Sequence, residues 1–245
     1  MKAIKAGVRN EIVKMLSRKK YRTFLLLTFL ISIAICSLGE FTKGFIGISL
    51  TNTPLALLSL ATGFILPLMI AMATADLFTA EQENGSIKAI ITRPVSRMDI
   101  LISKVLSIVL YTLSVLVVCL VTSLVYSIAF NGMGLSSIGE TLLAYAVSIV
   151  PMLPIILFAV TVSQLCKNSS SAVMLSVFGY IAIFAASIAL PTISPMLFTS
   201  YTRWYKLFIG AGMPITNILN VLTLLVAYTL IFFAISSWVF EKKEY

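Results

Sequence analysis

The sequence predicts an all-α integral membrane protein, a single domain over residues 1–245 with six transmembrane helices. Three observations predict it. Hydrophobic residues make up 59% of the chain and charged ones only 11%, where a soluble domain carries roughly a quarter. Mean hydropathy is +1.04. The charges are gathered into short clusters, and six long charge-free windows lie between them.

A bilayer core asks for about 20 apolar residues per helix. The windows 23–39, 54–75, 105–130, 141–166, 171–190 and 215–240 meet or approach that length. Pro54 is placed to start the second helix. The turn pair Asn131-Gly132 stops the third, and Pro214 breaks the chain before the sixth. Pro67, Pro151 and Pro154 predict kinks. The first window follows a basic region too long for a cleaved leader, with no small-x-small site after it, so it is expected to remain as the first span.

An even number of spans puts both termini on one side, and Lys and Arg choose the side. Fifteen of the eighteen basic residues fall on the side of the termini, leaving Lys43, Arg203 and Lys206 on the other. This predicts cytoplasmic termini. The net charge of +9 is thereby read as topology, and no nucleic-acid partner is expected.

No ionisable side chain falls in the middle of a window. That argues against proton- or sodium-coupled carriage, which uses such groups, and against catalysis, which needs an acid, base or nucleophile. Ser and Thr are frequent instead (Thr62, Thr74, Ser107, Thr112, Ser114, Thr122, Ser123, Ser148, Thr161, Ser163), and are expected to help helices approach and hydrogen-bond across their contacts. With no His and three scattered cysteines (Cys36, Cys119, Cys166), neither a disulfide framework nor a zinc site is expected. Met69 and Met72 are read as packing residues.

Two flanking segments are amphipathic. In residues 1–20, Ile4, Val8, Ile12, Met15 and Leu16 form one helical stripe, with Lys2, Lys5, Arg9, Lys14 and Arg18 off it. Such a basic helix is expected to lie in the inner headgroup layer. In residues 191–214, Tyr201, Trp204, Tyr205 and Phe208 stand at helical spacing beside Arg203 and Lys206. A short outer helix at headgroup level, an aromatic anchor or a lid, is expected there.

The most polar stretch is 76–99, DLFTAEQENGSIKAIITRPVSRMD, which holds four of the nine acidic residues. Gly85 is a helix stop, and Ser96 with Asp99 is a cap for the third span. The stretch reads as short helix, break, short helix, new span, with the charges and apolar face of a docking surface. Its core, AEQENGSIKAIITRPVSRMDILISK, resembles the signature between the second and third spans of ABC-2 type transporter permeases. The six spans, N-terminal helix and short segment before the last span also resemble that family. Only about 25 residues carry the specific motif.

The resemblance implies a permease subunit of an ATP-driven exporter in a bacterial plasma membrane. Residues 76–99 would hold a coupling helix seated on a separate ATP-binding subunit, with Glu81, Glu83, Gly85, Ser86, Lys88, Arg93, Pro94 and Arg97 forming or supporting it. Residues 1–20 would be the elbow helix. A second permease chain, identical or different, would complete the machine, and ATP with magnesium would bind the partner, with no cofactor in this chain. The sequence itself contains no G-x-x-x-x-G-K-[ST] phosphate loop. Spans of apolar and hydroxyl surface suit an amphipathic or hydrophobic cargo. Small permeases of this type favour an antimicrobial or toxin peptide, with a drug or lipid-like compound as the alternative. A secondary carrier without an ATPase and a membrane immunity protein that sequesters a peptide are the readings outside this class.

Overall fold

The structure is a computed structural model that describes residues 2–46, 53–86, 96–131, 135–209 and 214–243. Among these there is no strand. An N-terminal helix α1 (Lys2–Ser17) is followed by α2 (Lys19–Ile46). A long helical run α3 (Thr53–Glu83) follows, then α4 (Arg97–Asn131). The chain continues as α5 (Leu135–Val147), α6 (Ile149–Leu165), α7 (Ser169–Ala189) and α8 (Ile215–Lys242). Six of the resulting helical stretches are long and apolar enough to cross a membrane, with α5 and α6 forming one of them.

The helices run up and down. Where α1 packs, α3 and α6 end, α4 and α7 begin, and α8 ends. We call this the α1 end. The second and fourth spans are the inner pair, with 56% and 61% of their apolar windows buried, against 17% and 11% for the fifth and sixth. Leu57, Leu58, Ile70 and Leu77 of the second span, Leu101, Ile108 and Val115 of the third, and Met152, Ile156 and Val160 of the fourth belong to one buried core.

The prolines act as their chemistry requires. Pro67 has no N–H to give the carbonyl of Gly63. Residues Ala61–Ile65 widen into a π turn closed by the Leu66 N–H on the Ala61 carbonyl, and the Tyr180 hydroxyl donates to Gly63 O at 3.0 Å. Pro151 likewise leaves the Val147 carbonyl without a helical donor. The chain breaks at Ser148, whose hydroxyl bonds Ala144 O at 2.7 Å, and resumes as α6. Pro214 caps the start of α8.

Most of the span hydroxyls do not bridge helices. Thr62, Thr112 and Thr161 each donate to a carbonyl four residues back on their own helix, and Ser107 does so while also lying 3.5 Å from Val8 O of α1. Ser123 does reach across, 3.4 Å from the Tyr145 hydroxyl. A hydroxyl in hydrocarbon must find an acceptor, and its own helix is the nearest source. The cross-helix role expected for this group is carried chiefly by Thr79, whose hydroxyl reaches Ser163 O at 2.7 Å, and by the tyrosines.

Candidate functional site

The polar stretch between the second and third spans does not begin as a loop. The second span continues through it to Glu83, passing a π turn at Ala75–Thr79 that is closed by the Ala80 N–H on the Ala75 carbonyl. A π turn inserts one extra residue and re-aims the side chains after it. Here it directs two carboxylates inward.

Asp76, 6% exposed, faces α2. It accepts the Tyr21 hydroxyl at 2.8 Å, pairs with Lys20, and lies 3.9 Å from the Arg18 guanidinium. The Tyr111 hydroxyl of α4 in turn donates to Tyr21 O at 2.9 Å. Glu81, 2% exposed, faces the crossing of α1 and α4. One of its oxygens takes Lys14 of α1, and the other takes the ammonium of Lys104 at 2.7 Å. Lys104 is wholly buried. Its three donors are matched by Glu81, by Glu11 at 3.2 Å and by Leu77 O at 3.0 Å. Two carboxylates and two ammonium groups thus make a neutral cluster from three helices, which is how buried charge is tolerated. Gly7 of α1 makes this crossing possible: a Cβ there would lie 2.8 Å from the Ser103 hydroxyl oxygen.

Glu83 lies outside this cluster on an exposed rim. It accepts the N–H of Ser169 at 3.1 Å, satisfying one of the free donors at the start of α7. Gly85 terminates the helix with φ +67° and gives its N–H to Gln82 O, the left-handed stop the sequence predicts. Ser86 bonds Glu81 O at 3.2 Å. Ser96 accepts the Asp99 N–H at 3.1 Å, the predicted cap of α4. Arg97, half-buried, donates to Glu241 O at 2.7 Å and Lys243 O at 3.2 Å, gripping the end of α8. Lys243 reaches the Gln164 carbonyl, and partial burial lowers its pKa from the ordinary lysine value. Lys88, Arg93 and Pro94 lie outside the described residues.

The stripe of α1 is divided. Met15 is buried in the core, Ile4, Val8 and Ile12 are half-buried along the edge of the α4 contact, and Leu16 is exposed. At the opposite end of the bundle, residues 194–208 form three 3₁₀ turns and not one α-helix. Trp204 and Tyr205 turn inward, 5% and 1% exposed, and the Tyr205 hydroxyl donates to Leu55 O at 3.2 Å. Tyr201 bonds Pro195 O, and Phe208 meets Trp204 edge-on. Trp204 and Tyr205 therefore fasten the segment to the bundle, and do not stand out as surface anchors. Among the described residues, no group of His, Cys, Asp and Glu side chains is placed to hold a metal.

Glu11, Lys14, Lys20, Asp76 and Lys104 were not legible as a site. Each looks like a boundary charge, and the pairing partners lie up to 93 residues apart in sequence.

Over residues 40–245 the chain matches the family described as Protein of unknown function (DUF2705). The match leaves out α1 and the whole of the first span, Lys19–Leu38. No curated protein matches the chain.

Proposed function

Taking as premise that the chain belongs to the DUF2705 family, we propose that it is the permease subunit of an ATP-driven exporter of the ABC-2 type. The α1 end faces the cytoplasm, both termini lie there, and the spans cross the plasma membrane. The chain performs no catalysis. A separate ATP-binding subunit hydrolyses ATP and docks on the exposed rim that opens at Glu83 and closes at Arg97. The cargo is amphipathic or hydrophobic, with a toxin or antimicrobial peptide favoured.

The observation that carries the proposal is how the ends of the polar stretch are attached. Glu83 holds the first turn of α7, Arg97 holds the last turn of α8, and Glu81 holds α1 and α4. A push on the segment between Glu83 and Arg97 would reach four helix ends through direct bonds. That is the arrangement an energy-transducing contact needs. The bias of basic residues toward the α1 end and the motif between the second and third spans support the same orientation.

Purification of the tagged chain from its native membrane tests the proposal. An ATPase should copurify, and Glu83→Lys should lower its turnover while leaving the abundance of the chain unchanged. Recovery without any nucleotide-binding protein, or transport that persists without nucleotide, would count against it.

A further inference from the structure

We propose that an open groove between α1 and α4 seats one anionic phospholipid, its phosphate on Lys5 and Arg9 and an acyl chain along Leu106 and Leu110. The inference needs only that the chain spans a bilayer, and stands apart from the ATPase proposal.

The groove has a volume of about 680 Å³ and is lined by Val8, Val13 and Leu106 together with Lys5 and Arg9, both exposed. A smaller hollow of about 130 Å³ shares Ile12 with it and adds Leu16, Leu25 and Leu110. Val13, Leu106 and Leu110 are 57%, 41% and 45% exposed, so the apolar floor is uncovered by protein. Lys5 and Arg9 stand one helical turn apart and so share a face. Four other cations near this crossing are spent: Lys14 and Lys104 on Glu81 and Glu11, Arg18 and Lys20 on Asp76. Among the described residues Lys5 and Arg9 have no carboxylate partner.

Two uncompensated cations above an apolar trough match a molecule with an anionic head and a hydrocarbon tail. The long stems of Lys and Arg can lie on the trough while their heads stay at headgroup level. A second copy of the chain is a poorer match. It carries a net charge of +9, and its Glu11, Asp76 and Glu81 are already engaged.

The test is native mass spectrometry of the full chain extracted from bilayers of equal phosphatidylglycerol and phosphatidylcholine. The wild type should retain phosphatidylglycerol preferentially. Lys5→Gln with Arg9→Gln should cut that preference at least tenfold, on the basis of about fivefold per juxtamembrane cation. Val13→Asp, which sets a negative charge on an exposed wall, should reduce it independently. Lys5→Arg with Arg9→Lys should preserve it. So should Lys19→Gln with Arg22→Gln, which removes the same charge from exposed positions that line neither hollow. An unchanged preference in the first two variants, or an equal loss in the Lys19/Arg22 variant, overturns the proposal. Self-crosslinking through Val13→Cys in a cysteine-free chain, with no lipid preference, would give the groove to a second copy and overturn it as well.

Discussion

At the α1 end, the helices are tied by charge: Lys104 against Glu11 and Glu81, Lys20 and Arg18 against Asp76, Glu83 against the start of α7. At the opposite end they are tied by rings and hydroxyls, with Trp204 and Tyr205 packed inward and the Tyr145 hydroxyl on Pro54 O at 3.1 Å. The two ends respond to different perturbations. An ion cluster is neutral only when complete, so removing one member leaves an uncompensated charge in a dry place. An aromatic contact loses only the part removed. A contact that must pass a push between helices gains from the first kind, and a clamp that must merely hold a loop gains nothing from it.

The largest expected effect comes from breaking the first kind. Lys104→Met should destabilise the chain by about 3–5 kcal/mol, because Glu11 and Glu81 would then share a site with Lys14 alone. Adding Glu11→Gln should recover part of the loss. Thermal unfolding in detergent reads both, and a loss no greater than that of a single surface substitution would remove the distinction between the ends.

An intermediate effect is expected where α1 crosses α4. Gly7→Ala brings a methyl to 2.8 Å from the Ser103 oxygen and 2.9 Å from its Cβ, for a cost of about 1–3 kcal/mol. Ser103→Gly, which takes away both atoms, should relieve it. If Gly7→Ala melts like the wild type, α1 is not seated against α4 as described.

The smallest belongs to the other end. Tyr205→Phe removes one hydroxyl from Leu55 O and should cost about 1 kcal/mol. It should leave the turnover of the proposed ATPase partner untouched, whereas Glu83→Lys should not. Equal effects of the two on turnover would contradict the assignment of the working face.

The spans were legible because hydrocarbon length is a strong filter, and windows such as 105–130 and 215–240 satisfy it without help from the fold. Local stops were legible too: Gly85, Ser96 and Pro214 act through their own backbones. The charged cluster was not. A window method ends a helix at Asp76 or begins one after Lys104, because it prices each charge as if it were alone. In the folded chain Lys104 has three partners, and α3 and α4 run on through their charges. The π turn at Ala75–Thr79, which aims Asp76 and Glu81 inward, also left no pattern in the composition. At the opposite end, the spacing of Tyr201, Trp204, Tyr205 and Phe208 fits an α-helix, but Pro195 and the packing of Trp204 and Tyr205 settle the chain into 3₁₀ turns.

The central claim is that the charged end lies in the cytoplasm, where a nucleotide-hydrolysing subunit can press on it. Ser86 is exposed beside the Gly85 turn, so Ser86→Cys, in a chain whose Cys36, Cys119 and Cys166 are replaced by Ala, reports the side directly. The account predicts no reaction with a membrane-impermeant maleimide in intact cells and full reaction after permeabilisation. Labelling of Ser86→Cys in intact cells would contradict it.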